Sequence, residues 1–151
     1  MTGLNHALTG ATVAAALNKP ALALPAALLS HFAADVVPHW DYKTPGGVRG
    51  RLKVMSVDLT LSLILLAILA ATVDARPWLV IAGGLLGIAP DTMWLPFFLT
   101  GNPSKTHNRR NLLHLMRRPH SWIQWSETRE GLYVEAAWFV LVLILTYQIH
   151  N

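Results

Sequence analysis

The chain contains no cysteine. That excludes a disulfide framework and a thiolate metal site, so any metal must be held by His, Asp or Glu. It is also poor in charge. Charged side chains make up 13% of its 151 residues, about half the share usual in soluble domains, whereas 53% are hydrophobic. One domain of this size has a real core, but too little polar surface to cover so much apolar material. No Lys/Arg-rich segment precedes the first apolar run. The N-terminus is therefore expected to be retained rather than cleaved as a signal peptide, although Ala14-Ala15-Ala16 mimics a cleavage site. Internal repeats and low-complexity segments are missing as well. What the chain does have is several apolar runs approaching 20 residues, which makes lipid the solvent for much of it. The expectation is one membrane-embedded domain spanning 1–151.

The runs divide into about five helices. Gly3–Leu17 is rich in Ala and Leu and, at about 1.5 Å per residue, spans only marginally or lies in the interface. Asn18-Lys19-Pro20 is a turn, with Pro20 suited to the first position of a second helix that reaches Val37. Pro38 lacks an N–H and disfavours helix at Val37, so that helix should stop there. A polar loop is expected over 39–53. Val54–Val73 is the clearest membrane helix, with Asp58 its only charge. Trp78–Leu99 is a fourth span, interrupted by Gly83-Gly84, Gly87 and Ala89-Pro90-Asp91, and Glu130–Tyr147 is the last. Asn111–Met116 suits a short extra surface helix. The fold class is thus an all-α polytopic transmembrane bundle.

Five spans place the N-terminus and the loops 38–53 and 100–130 on one side. That side carries Lys43, Arg49, Arg51, Lys53, Lys105, Arg109, Arg110, Arg117, Arg118 and Arg129, and the other only Lys19 and Arg76. Such a bias assigns the two large loops to the cytoplasmic face of a bacterial inner membrane. The formal charge of +4 is accordingly a matter of topology, and no nucleic-acid partner is expected. Trp40, Tyr42, Trp78, Trp122, Trp125, Tyr133 and Tyr147 fall near helix ends and suit an aromatic belt.

The ionisable residues of the spans all gather at that same end. His31 and Asp35 are one helical turn apart and share a face. Beyond Pro38, His39 and Asp41 are two apart and would point to one side of an extended segment. Imidazoles and carboxylates so spaced suit a divalent metal such as zinc, with manganese a second choice. His6, Asp58, Asp91 and Glu135 fall at the same level. A carboxylate in hydrocarbon costs about 2.5–3.5 kcal/mol and needs a partner, which can be a cation, an imidazole or a metal. Each has a plainer use: Asp58 could cap a helix or pair with Lys53 or Arg51, Asp91 could be an N-cap after the Pro break, and Glu135 suits a pair with an Arg. The basic loop 105–118 suits anionic lipid, or a phosphate clamp made of Arg109, Arg110, Arg117 and Arg118.

Asn5-His6-Ala7-Leu8-Thr9-Gly10, the run from Ser30 to Asp41 and the later Ala89-Pro90-Asp91 together resemble small bacterial integral membrane proteins of uncharacterised function. Those are similar to predicted membrane-bound metal-dependent hydrolases, distantly likened to zinc-dependent phospholipase C and P1-type nucleases. The resemblance covers most of the chain. It implies that His6, His31, Asp35, His39 and Asp41 are metal ligands or their supports, with Asp58, Asp91 and His120 available to complete the site. The hydrolases carry a Pro-Asp-x-Asp-His block where this chain has Pro38-His39-Trp40-Asp41.

The expected function is a metal-dependent hydrolase acting on a phosphoester, such as a lipid headgroup, at the cytoplasmic interface. Asp58 or Asp91 would act as general base, and membrane lipid would be the partner. Two other readings compete. A non-catalytic membrane protein would use the same His/Asp cluster to fix helix packing, and an ion transporter would need polar residues along both halves of its helices.

Overall fold

The computed structural model describes residues 1–40, 47–95, 120, 122, 123 and 128–150. Among these residues the chain is all-helical: five α-helices, one 3₁₀ segment and no strand. Helix α1 (Gly3–Leu17) ends where Asn18 enters the left-handed region at φ 45° and returns its N–H to Ala14 O. Asn tolerates that conformation, and the turn hands the chain to Pro20 at the start of α2 (Pro20–Val36). α2 stops as Pro38 requires, with Val37 extended at ψ 142°.

Helix α3 (Gly47–Thr72) starts earlier than expected and takes Arg49, Arg51 and Lys53 into its first turns. Long basic side chains are good helix formers, so a polar stretch next to an apolar run need not be a loop. After the turn at Asp74–Arg76, α4 (Pro77–Ile88) opens with Pro77 and is only 12 residues long. Pro90 cannot donate to an α-helical ladder, and the chain tightens into a 3₁₀ segment over Ala89–Trp94. The last helix, α5, covers Gly131–His150.

Two helices, α3 and α5, are long and apolar enough to cross a membrane, with mean hydropathies of 2.3 and 1.8. The expected bundle of about five helices is met in helix number, but only these two have membrane-crossing length, since α1, α2 and α4 have 15, 17 and 12 residues. The expected surface helix at 111–116 lies outside the described residues.

The short α1 is the hub: it packs against α2, α3, α4 and α5. Its small side chains make this possible. A Cβ at Gly83 of α4 would strike Ala14 and sit 2.7 Å from Gly10 O, and one at Gly87 would strike His6 O. Backbone-to-backbone approach of this kind gathers dispersion contacts that larger residues would prevent. Gly84 likewise receives the Leu66 side chain of α3. Around this contact Ala7, Leu8, Ala11, Leu66, Leu69, Val80 and Val142 form the main core.

The α1–α5 seam is polar. Thr2, Asn5, Thr9 and Thr12 recur at helical spacing, and each is answered from α5. The Thr2 N–H and hydroxyl and Asn5 Nδ2 donate to Glu135 Oε2. Trp138 Nε1 donates to Thr9 Oγ1 at 2.9 Å, and Thr12 pairs with Thr146 at 2.6 Å. Interhelical hydrogen bonds in an apolar setting average about 0.6 kcal/mol and reach about 1.7, so the seam fixes register more than it adds stability.

Candidate metal centre

The N-terminal end of α1, the C-terminal end of α2 and the broken end of α4 meet at one place. α2 presents His31 and Asp35 from one face, as their four-residue spacing dictates. The 3₁₀ segment presents Asp91, and His120 enters from the segment beyond it. One ligand atom from each of His31, Asp35, Asp91 and His120 lies within 4.8 Å of every other, so the four could hold a metal ion.

The distances suit that use. His31 Nε2 and His120 Nε2 lie 3.2 and 2.9 Å from Asp35 Oδ2, and both are 3.8 Å from Asp91 Oδ1. Ligands at about 2.1 Å from a common ion are separated by roughly 3.0 Å at octahedral and 3.4 Å at tetrahedral angles. The observed edges bracket both values.

The ring of His31 adds a test of fit. Its Nδ1 donates to Gly87 O at 2.8 Å, which fixes the ring. In the neutral ring Nε2 is then left with a lone pair facing the carboxylates. Nε2 is buried and has no hydrogen-bond partner. Anchoring the far nitrogen of an imidazole on a carbonyl is the usual support for a metal-bound His. The Gly87 carbonyl is available for a local reason. In an α-helix it would accept from residue 91, whereas a 3₁₀ turn directs that N–H three residues back. The Pro90 break thus turns Asp91 inwards and frees the acceptor that orients His31.

His31, Asp35 and His120 are fully buried, and Asp91 is the partly open member, its side chain 26% exposed. Asp91 is therefore the member of the group that solvent touches. His6 joins the edge of the cluster. Its ring stacks on His31 with centroids 3.9 Å apart, and its Nε2 is 3.1 Å from Asp35 Oδ1. The α-amino group of Met1 donates to the same oxygen at 2.7 Å.

Of the residues singled out in the sequence, His6, His31, Asp35, Asp91 and His120 converge here. Asp91, expected as a general base, stands among the candidate ligands. Asp58, the other expected base, accepts from Leu4 N at 3.1 Å in the first turn of α1, which is a helix-capping use. His39 is buried but stands apart from the group; its Nδ1 donates to Val37 O at 2.8 Å. Pro38 is the physical reason, because it ends α2 and carries the chain away along the start of α5, where Thr128 N donates to His39 O. Asp41, Arg109, Arg110, Arg117 and Arg118 lie outside the described residues.

Glu135 pairs with the start of α1 and with Trp40 N, where an Arg was expected. Two contributors were not visible as such in the sequence: the Gly87 carbonyl and the Thr/Asn stripe of α1. The stripe had a signal, since positions 2, 5, 9 and 12 follow the 3–4 spacing of a helix face.

No protein-family model, curated protein or solved structure matches the chain. Its class is therefore set by its own geometry. Among the described residues the chain is all-helical, with two helices of membrane-crossing length and a largely buried His/Asp group able to hold a metal ion.

Proposed function

We propose that the chain is an integral membrane, metal-dependent hydrolase that cleaves a phosphoester, with a lipid headgroup the natural substrate class. The whole helical bundle sits in the bacterial inner membrane, with α1 enclosed by the other helices and the basic loops on the cytoplasmic face. Support for the membrane setting comes from the large apolar side chains exposed along α3 and α5, including Leu63, Ile64, Ile68, Leu141 and Ile144. Exposed Trp122 and Tyr133 towards one end, and Trp78 and Tyr147 towards the other, suit the two interfaces.

The observation that carries the metal reading is His31, held by the Gly87 carbonyl so that Nε2 faces two carboxylates. A bound zinc or manganese ion supplies Lewis acidity towards water and a phosphoryl oxygen. The residues themselves divide the remaining work. His31, His120 and Asp35 are buried and bind. Asp91, partly open, binds from the side where a substrate enters and orients it. The resemblance noted in the sequence favours the same chemistry, and Arg109, Arg110, Arg117 and Arg118 would hold the phosphate.

A second reading has its own support. His6, His120 and the Met1 amine all crowd Asp35, as a packing network would require. The two separate by experiment. Metal content is measured by mass spectrometry on detergent-purified protein beside the His31→Ala/Asp35→Ala double variant, followed by hydrolysis of phosphodiester and phospholipid substrates. Near-stoichiometric metal and hydrolysis, both lost in a folded variant, are expected. A metal-free parent protein, or hydrolysis that survives in the variant, refutes the proposal.

A further inference from the structure

The two carboxylates of the centre use their oxygens in opposite directions. Asp35 turns Oδ2 to His31 and His120, and Oδ1 to His6 at 3.1 Å. Asp91 does the same: Oδ1 lies 3.8 Å from His31 and His120, and Oδ2 lies 3.8 Å from His6. The carboxylate pair therefore has two faces. The second, with His6 as its nitrogen donor, repeats the long edge of the first and falls within the range of its short ones.

His6 itself supplies an independent observation. It is fully buried, and neither of its ring nitrogens is in hydrogen-bond geometry with any partner. A buried imidazole left in that state is costly, and a cation on Nε2 would satisfy the nitrogen that faces the carboxylates. Stacking on His31 holds the ring plane, so Nε2 stays directed at the carboxylates. The amine of Met1, 2.7 Å from Asp35 Oδ1, marks this face as one that gathers positive charge.

We infer that the centre is binuclear. Asp35 and Asp91 bridge two divalent cations, one on the His31/His120 face and the other on the His6 face. This rests on the metal reading above and adds a second ion to it. The rival occupant of the His6 face is an ammonium group alone, which predicts a single ion.

The test uses the full chain in detergent, loaded with Mn²⁺ and freed of excess ion. Metal per chain is counted by mass spectrometry, and the electron paramagnetic resonance spectrum is recorded. Two ions with an exchange-coupled signal are expected. His6→Gln should halve the metal and leave the six-line spectrum of an isolated ion, while His39→Gln keeps both ions. One isolated ion in the parent protein overturns the inference but leaves the metal centre standing. No ion overturns both. Two ions that His6→Gln does not disturb overturn the assignment of the second face. Should His6→Gln fail to fold, the coupling in the parent protein decides alone.

Discussion

Replacing Gly87 with alanine sets one methyl group against the backbone of another helix. The new Cβ would strike His6 O, lie 3.1 Å from His6 C and touch Gly10 Cα at 3.4 Å. These are main-chain atoms of α1, so no side chain can swing aside. Relief needs α1 and α4 to part by roughly 1 Å, and overpacking of this kind costs about 1–3 kcal/mol. Against this, alanine is the better helix former by about 1 kcal/mol. With a main-chain clash at the upper end of that range, about 2–3 kcal/mol, the net expectation is a loss of about 1–2 kcal/mol.

The same shift has a second effect. Gly87 O holds His31 Nδ1 of α2 at 2.8 Å, so the part of the shift taken up by α4 carries that carbonyl with it, and a displacement of about 1 Å away from α2 would take the bond beyond useful length. Losing such a support typically weakens metal binding about 10–100-fold. Gly83→Ala is the control. It sits one turn earlier, meets the Ala14 Cβ and Gly10 O, and has no bond to His31, so it disturbs the Gly87 carbonyl only through what the helix transmits. Stability is read by SDS titration of detergent-solubilised protein followed by circular dichroism, and affinity by metal titration. Both variants should lose stability, and Gly87→Ala should lose more affinity. The reasoning fails if Gly87→Ala unfolds at the parent midpoint, or if Gly83→Ala weakens metal binding as much.

Glu135→Gln should leave metal content intact and cost about 1–3 kcal/mol, because one carboxylate oxygen serving Thr2 and Asn5, or the one serving Trp40, becomes an N–H donor facing donors. The same SDS titration checks it, and an unchanged midpoint would contradict the role given to Glu135. Chelation should lower the parent protein's unfolding midpoint, since an ion present at 100 times its Kd stabilises by about 2.7 kcal/mol. EDTA should not move the midpoint of the His31→Ala/Asp35→Ala variant, and equal sensitivity of the two proteins would argue against the site.

Much of this arrangement is legible in the residues. Helices α1 and α2 follow from apolar runs bounded by Asn18, Pro20 and Pro38, and the His31/Asp35 pair follows from helical spacing. The gathering of His6 and Asp91 beside them follows from the alternating directions of successive helices, which bring the start of α1 to the ends of α2 and α4. What sequence withholds is which of the gathered polar groups touches which. Asp58 and Asp91 look alike as lone carboxylates in apolar helices, yet one meets the first turn of α1 and the other an imidazole cluster. That choice depends on how α3 and α4 are rotated about their axes, and tertiary packing sets the rotation. His39 misled for a related reason. Its neighbours in sequence suggested a ligand, but the proline that ends α2 also carries the chain away from the site. The glycines of α4 read as interruptions of a span, and they turn out to be the surface on which α1 rests.

The seam between α1 and α5 sets a schedule for the maturing chain. Its bonds join residues 129 to 134 positions apart, so α1 meets α5 only after all the intervening helices have been made. During that interval Thr9 and Thr12 need not be stranded, because their hydroxyls donate to Asn5 O and Leu8 O within their own helix. Asn5 has no such bond of its own, and the Glu135 group that receives its amide arrives with α5. The seam is therefore completed after the His/Asp group, whose residues from His6 to His120 all precede α5, so that group can gather before α1 is locked in register.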